Sequence, residues 1–310
     1  MAVLGDRIRA WQASGVDESF RGRRIHLHLR PGSGGPGREG GEEEEEEEEG
    51  RPLLLLLHGF PSSSYDFAAL IDQLPDVDVL SFDFLGFGLS EKPTDHVYSL
   101  LWQADLAEEM VARHGAGRQV LLIAHDMGTS VTTELLARDL AGRLPFALRA
   151  VVLFNGSIVL ERASLTWVQK LLRSPLGPLA ARLSSERLFR RQFASLFSAR
   201  HPLSERQAAD QWALLSAGGG ARLGDRLIYY LGERVSFADR WHGAIRDWPG
   251  QLGFLWGMQD PVATTDVLAA LRELRPSAPV AELAELGHYP QIEAPERVAA
   301  GLRAQLSPLL

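Results

Sequence analysis

Six short apolar runs, set apart by stretches of a different period, constrain this chain more than any other feature of it. They are PLLLLL (52–57), VDVLSFDF (77–84), QVLLIAH (119–125), LRAVVLFN (148–155), GQLGFLWG (250–257) and PVAELAEL (279–286). A run of five leucines has no polar side to turn to water, so such a strand must be covered on both faces. The intervening LLWQADLAEEMVARHG and TSVTTELLARDLAG carry apolar residues at the spacing of amphipathic helices. Buried strands alternating with helices predict an α/β protein, a mostly parallel sheet flanked by helices. One earlier segment, RRIHLHLR (23–30), alternates apolar and polar residues as a half-buried strand does. The simplest arrangement pairs it with the leucine run as a hairpin.

The connection in that hairpin is PGSGGPGREGGEEEEEEEEG (31–50). Its Gly, Pro and like charges cannot bury apolar surface, so it reads as a flexible, solvated loop. Its eight glutamates at 42–49 also account for the whole formal net charge of −8. The remaining body is close to neutral, which predicts no nucleic-acid-binding surface. With no cysteine in its 310 residues, the chain has no disulfide, thiolate metal site or cysteine nucleophile. No apolar run is long enough to span a bilayer, and the N-terminal stretch lacks a signal-peptide core. The expectation is a cytoplasmic protein without a membrane partner.

The rhythm breaks once. Residues 157–247 contain no convincing strand, only helical patterns such as LTWVQKLLRS, SERLFRRQFASLF and LGDRLIYYLGERV. This predicts a first core part over 1–156, a helical cap over 157–247 and a second core part over 248–310.

In a parallel sheet, chemistry collects beyond the carboxyl ends of the strands. Four ends carry distinctive residues. HGFP (58–61) follows the leucine run, where it is either a plain turn or a turn that aims backbone N–H groups inward. AHDMG (124–128) places Asp126 at a strand-to-helix elbow with small residues two positions away on each side; a lone Asp there also reads as a helix N-cap. GMQDP (257–261) carries Asp260, which equally suits a turn, and GHYP (287–290) carries His288, by itself an ordinary surface residue. Together they give the chain order nucleophile, acid, histidine, each at a strand end.

HGFP, DFLGFGLSEKP (83–93), HDMG, GMQDP and GHYPQIEAPERV (287–298) resemble the α/β-hydrolase superfamily, in the branch of epoxide hydrolases and haloalkane dehalogenases. The pattern of Tyr230, Arg234, Phe237, Arg240 and Trp241, with FRGRRIHLHL and HGFPSSSYDF, is similar to the hydrolases of the mesoderm-specific transcript type. The resemblance implies an α/β-hydrolase fold and an aspartate nucleophile. A carboxylate is already ionised, so Asp126 would attack an sp³ carbon directly and form an alkyl ester. Water activated by His288 would hydrolyse that ester, Asp260 orienting the imidazole and the N–H groups of Phe60 and Met127 holding the oxyanion.

Dehalogenases of this branch bind halide with indole or amide donors at two positions that are Met127 and Phe60 here, and neither side chain donates. Epoxide hydrolases polarise the ring oxygen with cap tyrosines. Tyr230 matches one by its spacing to Arg234; it equally suits packing within the cap, and the first half of the cap holds no second tyrosine. The expected function is therefore epoxide hydrolysis of a small apolar organic substrate, with no cofactor and no metal. The alternatives are dehalogenation, ester hydrolysis and a non-catalytic binding module. The oligomeric state stays open.

Overall fold

The computed structural model describes residues 4–33, 51–115, 117–307 and 309. Most of the expected loop at 31–50, including its glutamate run, lies outside the described residues. The chain begins with helix α1 (Asp6–Ser14) and strands β1 (Val16–Phe20), β2 (Arg23–Arg30) and β3 (Leu53–Leu57). There follow α2 (Ala68–Asp72), β4 (Asp78–Phe82), α3 (Leu100–His114), β5 (Gln119–His125), α4 (Met127–Leu140) and β6 (Ala147–Phe154). Between β6 and the next strand the path is purely helical. It comprises α5 (Trp167–Leu172), α6 (Gly177–Arg182), α7 (Glu186–Ala194), α8 (Glu205–Ser216), α9 (Gly224–Leu227), α10 (Tyr230–Ser236) and α11 (Ala238–Asp247), with short 3₁₀ turns. Strand β7 (Gln251–Gly257), α12 (Thr265–Leu274), β8 (Val280–Leu283), α13 (Pro290–Glu293) and α14 (Pro295–Leu306) complete it.

The strands form one eight-stranded sheet in the order β1-β2-β4-β3-β5-β6-β7-β8, parallel from β4 through β8 and antiparallel at the β1 and β2 edge. The unbroken apolar runs are explained by two cores. Leu53, Leu55 and Leu57 of β3 pack on one face with α3 and α4, through residues such as Leu106, Met110, Val131 and Leu135. Leu54 and Leu56 face the other way, toward Phe67, Leu70, Val298 and Leu302 from α2, α14 and the turn before α2. Every residue of β3 is buried.

Three expectations are corrected. β2 does not pair with β3 as a hairpin; it pairs antiparallel with β4, which lies between them. Adjacency in sequence cannot reveal such an inserted strand, because β4 enters by a parallel crossover. Nor is β2 half-exposed at its centre, since Ile25, His26, Leu27 and His28 are all buried. Its polar side is covered by α1, with Trp11 stacked on His28 at 3.6 Å. The helical pattern over 223–235 is also interrupted, dividing into α9 and α10 at Ile228 and Tyr229.

Candidate active site

β5 ends at His125, and the chain turns at once into α4. Asp126 makes that turn with φ 43° and ψ −109°, a strained conformation for a residue with a Cβ. The neighbours must be small for a concrete reason. A Cβ on Gly128 would sit 2.4 Å from the Leu57 carbonyl oxygen, and one on Gly59 would sit 2.7 Å from the Asp126 Cβ. The elbow is therefore pressed against the exit of β3.

The Asp126 carboxylate does not cap α4: its side chain makes no capping bond. Instead, Oδ2 accepts a hydrogen bond from the Phe60 N–H at 2.9 Å. Met127 is the first residue of α4, so its N–H has no acceptor within the helix. Phe60 is aimed by the turn around His58, whose Nδ1 bonds the Gly59 carbonyl at 2.9 Å while Nε2 accepts from the Phe84 N–H at 3.0 Å. Those partners fix one neutral tautomer, and burial lowers the imidazole pKa in agreement.

At the ends of β7 and β8, His288 Nδ1 and Asp260 Oδ2 lie 2.7 Å apart. Oδ2 of Asp260 also accepts from Asn155 Nδ2 at 2.8 Å, and Oδ1 from the N–H groups of Val262 and Ala263 at 2.7 and 3.1 Å. Asp260 thus shapes its turn and holds the imidazole at once. Burial alone would raise its pKa, but the His288 charge and these hydrogen bonds prevail and hold it below the ordinary value. For His288, burial would lower the pKa, but the Asp260 charge and hydrogen bond, followed by the charges of Asp126 and Glu293, raise it. The His288 N–H bonds the Leu196 carbonyl at 2.9 Å, and the ring of His125 supports the His288 carbonyl from Nε2 at 2.7 Å. Burial drives the His125 pKa down to about 3, so that ring stays neutral.

Tyr230, at the start of α10, is buried, and among the described residues its hydroxyl makes no hydrogen bond. Its adjacent Tyr229 is exposed, as the helical spacing requires. Burial first, and then the Asp126 charge, raise the phenol pKa, so it stays protonated as a donor. The Gln169 side chain is close enough to influence the phenol without bonding it.

Several residues here were not singled out as site residues from the sequence. Arg234 is fully buried: Nη2 donates to the Asp126 carbonyl at 3.0 Å and lies 3.7 Å from Oδ1 of the same residue. Its Nε bonds Ser130 Oγ at 2.8 Å, its Nη1 bonds Ser157 Oγ at 2.5 Å, and its Cζ stands 4.7 Å over the Tyr230 ring. Asn155, just past β6, and His125, the last residue of β5, support Asp260 and His288. Asp66, buried beside this group, takes a bond from Gln211 Nε2 at 2.7 Å and is pushed up to about 7 by burial. Only Arg234 had a signal in the sequence, its position four after Tyr230.

Phe60 and His288 form the floor of an apolar cavity of about 240 Å³, walled by residues of α5 to α7 such as Val168, Leu172, Phe189 and Phe193, with Val262 from the core. Among the described residues lining it, the single indole is Trp167. No group of histidine, aspartate and glutamate suited to a metal ion occurs among the described residues.

Known proteins show the family of the chain. Residues 52–295 match the α/β hydrolase fold family. A putative hydrolase, LipZ, of Mycobacterium tuberculosis is 62% identical over 248 residues, covering 80% of this chain and 86% of its own. The mesoderm-specific transcript homolog protein of Homo sapiens is 32% identical over 302 residues, 94% of this chain and 85% of its own. The solved epoxide hydrolase CorEH superposes with a TM-score of 0.73 at 18% identity, covering 96% of this chain and 99% of that one. Match and relatives agree: the chain belongs to the α/β hydrolase fold family.

Proposed function

We propose that this α/β-hydrolase opens epoxides of small apolar molecules through an ester on Asp126, beneath a cap formed by the helices between β6 and β7. The observation that carries the reading is the Tyr230 hydroxyl, buried, without a hydrogen-bond partner among the described residues and under the influence of the Asp126 charge, its ring 5.7 Å from that of Phe60, which lines the apolar cavity. An Asp126 oxygen attacks a ring carbon, forming the ester bond while the ring C–O bond breaks. The released alkoxide takes the Tyr230 proton. Next, His288 removes a proton from water, and the hydroxide adds to the Asp126 carbonyl carbon while the Phe60 and Met127 N–H groups hold the oxyanion. Collapse expels the second diol oxygen, which takes the proton from His288; the proton left on the Asp126 carboxyl returns to Tyr230. Asp260 orients the imidazole and stabilises its cation.

Two other chemistries are less well served. A leaving halide would find no side-chain N–H donor at Phe60 and Met127. Ser130, a hydroxyl farther along α4, already accepts from Arg234 and cannot replace Asp126 at the elbow.

The test is intact-protein mass spectrometry of a His288→Gln variant incubated with a panel of epoxides and haloalkanes. An adduct of substrate mass on the peptide holding Asp126 is expected from an epoxide. Turnover by Asp126→Ala equal to wild type would end the reading, and tight binding without turnover across the panel would favour a binding module.

A further inference from the structure

The outward face of α5 to α7 combines two features that seldom share one surface. The first is apolar exposure. Trp167 is 58% exposed, Leu176 60%, Leu179 55% and Leu183 69%, with Leu188 also exposed. A group of large apolar side chains left in water on neighbouring helices marks a docking site. These residues also stand where the cavity above His288 reaches the surface: Trp167, Leu183 and Leu188 line its wall. Trp167 and Leu188 line an adjoining hollow of about 400 Å³ as well, together with Arg191, Gln192 and Ser195.

The second feature is charge. Within residues 167–194 the basic side chains are Lys170, Arg173, Arg182, Arg187, Arg190 and Arg191, and the one acid is Glu186. Glu186 pairs with Arg190. The other five basic side chains form no ion pair among the described residues, so a stretch of charge +5 (6 − 1) lies in a chain of net charge −8. The excess lies on the same helices as the exposed apolar group.

We propose that this face docks peripherally on an anionic phospholipid surface, with the mouth of the cavity turned toward it. Apolar side chains that enter the headgroup and acyl boundary, a tryptophan among them and a fringe of arginine and lysine, are what such a surface recognises. A second copy of the chain fits less well, because a two-fold contact through this face would set like charges against one another. The expectation of no membrane partner rested on the absence of a spanning segment; among the described residues no helix is long and apolar enough to cross a membrane, which leaves peripheral docking open. The consequence for catalysis, that an apolar epoxide passes from lipid to the cavity without crossing water, rests on the reading of Asp126; the docking does not.

Flotation of the full chain with vesicles tests it. Wild type is expected to float with phosphatidylcholine vesicles that contain phosphatidylglycerol, to float far less with phosphatidylcholine alone, and to be released by salt. A Leu176→Asp, Leu179→Asp double variant is expected to lose about nine-tenths of the bound fraction. Neither residue lines the cavity, so its circular dichroism and its turnover of a soluble epoxide should match wild type. An Asp126→Asn variant is expected to float like wild type, which separates this proposal from the catalytic one. Wild type that stays in the buffer with both vesicles, or a double variant that floats unchanged, overturns the proposal. So does a wild-type dimer, seen by light scattering, that the double variant converts to monomer.

Discussion

Alkylation of Asp126 removes a negative charge from beside His288. In the free protein that charge is one of the causes raising the imidazole pKa, behind the Asp260 charge and hydrogen bond, which together overcome the lowering effect of burial. The proposed ester is neutral, so the imidazole loses this support and its pKa falls as it is needed as a base. Single-turnover hydrolysis of the ester should therefore lose rate as pH drops through a midpoint below the His288 titration of the free protein, measured by NMR of the imidazole. The groups facing His288 are Asp126, Asp260, Glu293, His125 and Asp66. Of these, Asp66 lies near 7 and His125 stays neutral. Equal midpoints in free protein and ester would refute the charge argument. Tyr230→Phe, in turn, should cut kcat on an epoxide by about 100-fold and leave KM nearly unchanged, because the proton is given up only in the transition state. Steady-state kinetics decides it, and unchanged kcat would remove Tyr230 from the site. Asp126, Asp260 and His288 could be picked out in the sequence because each sits in a short motif at the end of an apolar run. The clamp made by Arg234 could not: its spacing to Tyr230 was visible, but its partner Asp126 is 108 residues away in the chain.

Helices α10 and α11 are fastened to the core very differently from α5 to α7. Glu134, buried on α4, accepts from Arg240 at 2.8 and 3.0 Å, from Trp241 Nε1 at 3.0 Å and from Arg138 at 2.9 Å. Glu233 of α10 accepts from Ser99 Oγ and the Leu100 N–H at the start of α3, both at 2.6 Å. The tyrosine, arginine and tryptophan pattern read in the sequence is thus largely an anchoring pattern. Arg240 and Trp241 seat α11 on α4, and the break at Ile228 and Tyr229 lets Leu227, Tyr230, Leu231 and Arg234 all bury. Glu134→Ala strands three donors, two of them charged, and should cost about 3 kcal/mol, less than a fully buried pair because Arg240 is partly exposed. A urea titration should show the midpoint falling with an unchanged slope; a loss under about 1 kcal/mol would mean that packing alone seats α11. The same reasoning explains what was hidden about β2. Its own alternation was plain, but its pairing with β4 and its cover by Trp11 depend on elements far along the chain or across it.

Across the whole molecule, one sheet converts residues from 58 to 288 into neighbours. The parallel strands run the same way, so the turns after β3, β5, β7 and β8 meet at one end, while the flanks of the glutamate run are held at the other. There Ser33 Oγ bonds Asp76 Oδ1 at 2.6 Å, the Gly32 N–H bonds Asp78 Oδ1 at 2.6 Å, and Arg51 Nη2 bonds the Asp76 carbonyl at 2.9 Å. The direction of the sheet was legible because uninterrupted apolar strands leave few alternatives to a parallel arrangement. The part the glutamates play was not, since charge patterning fixes solvation and not position. If the run acts through charge alone, replacing Glu42 to Glu49 with glutamine moves the net charge from −8 to 0 and leaves the site at the opposite end untouched. The expected outcome is kcat/KM within about twofold of wild type and lower solubility near neutral pH, where a chain without net charge self-associates. A fall of tenfold or more in kcat/KM at unchanged melting temperature would show that the segment reaches the catalytic end, and would give it a role beyond solvation.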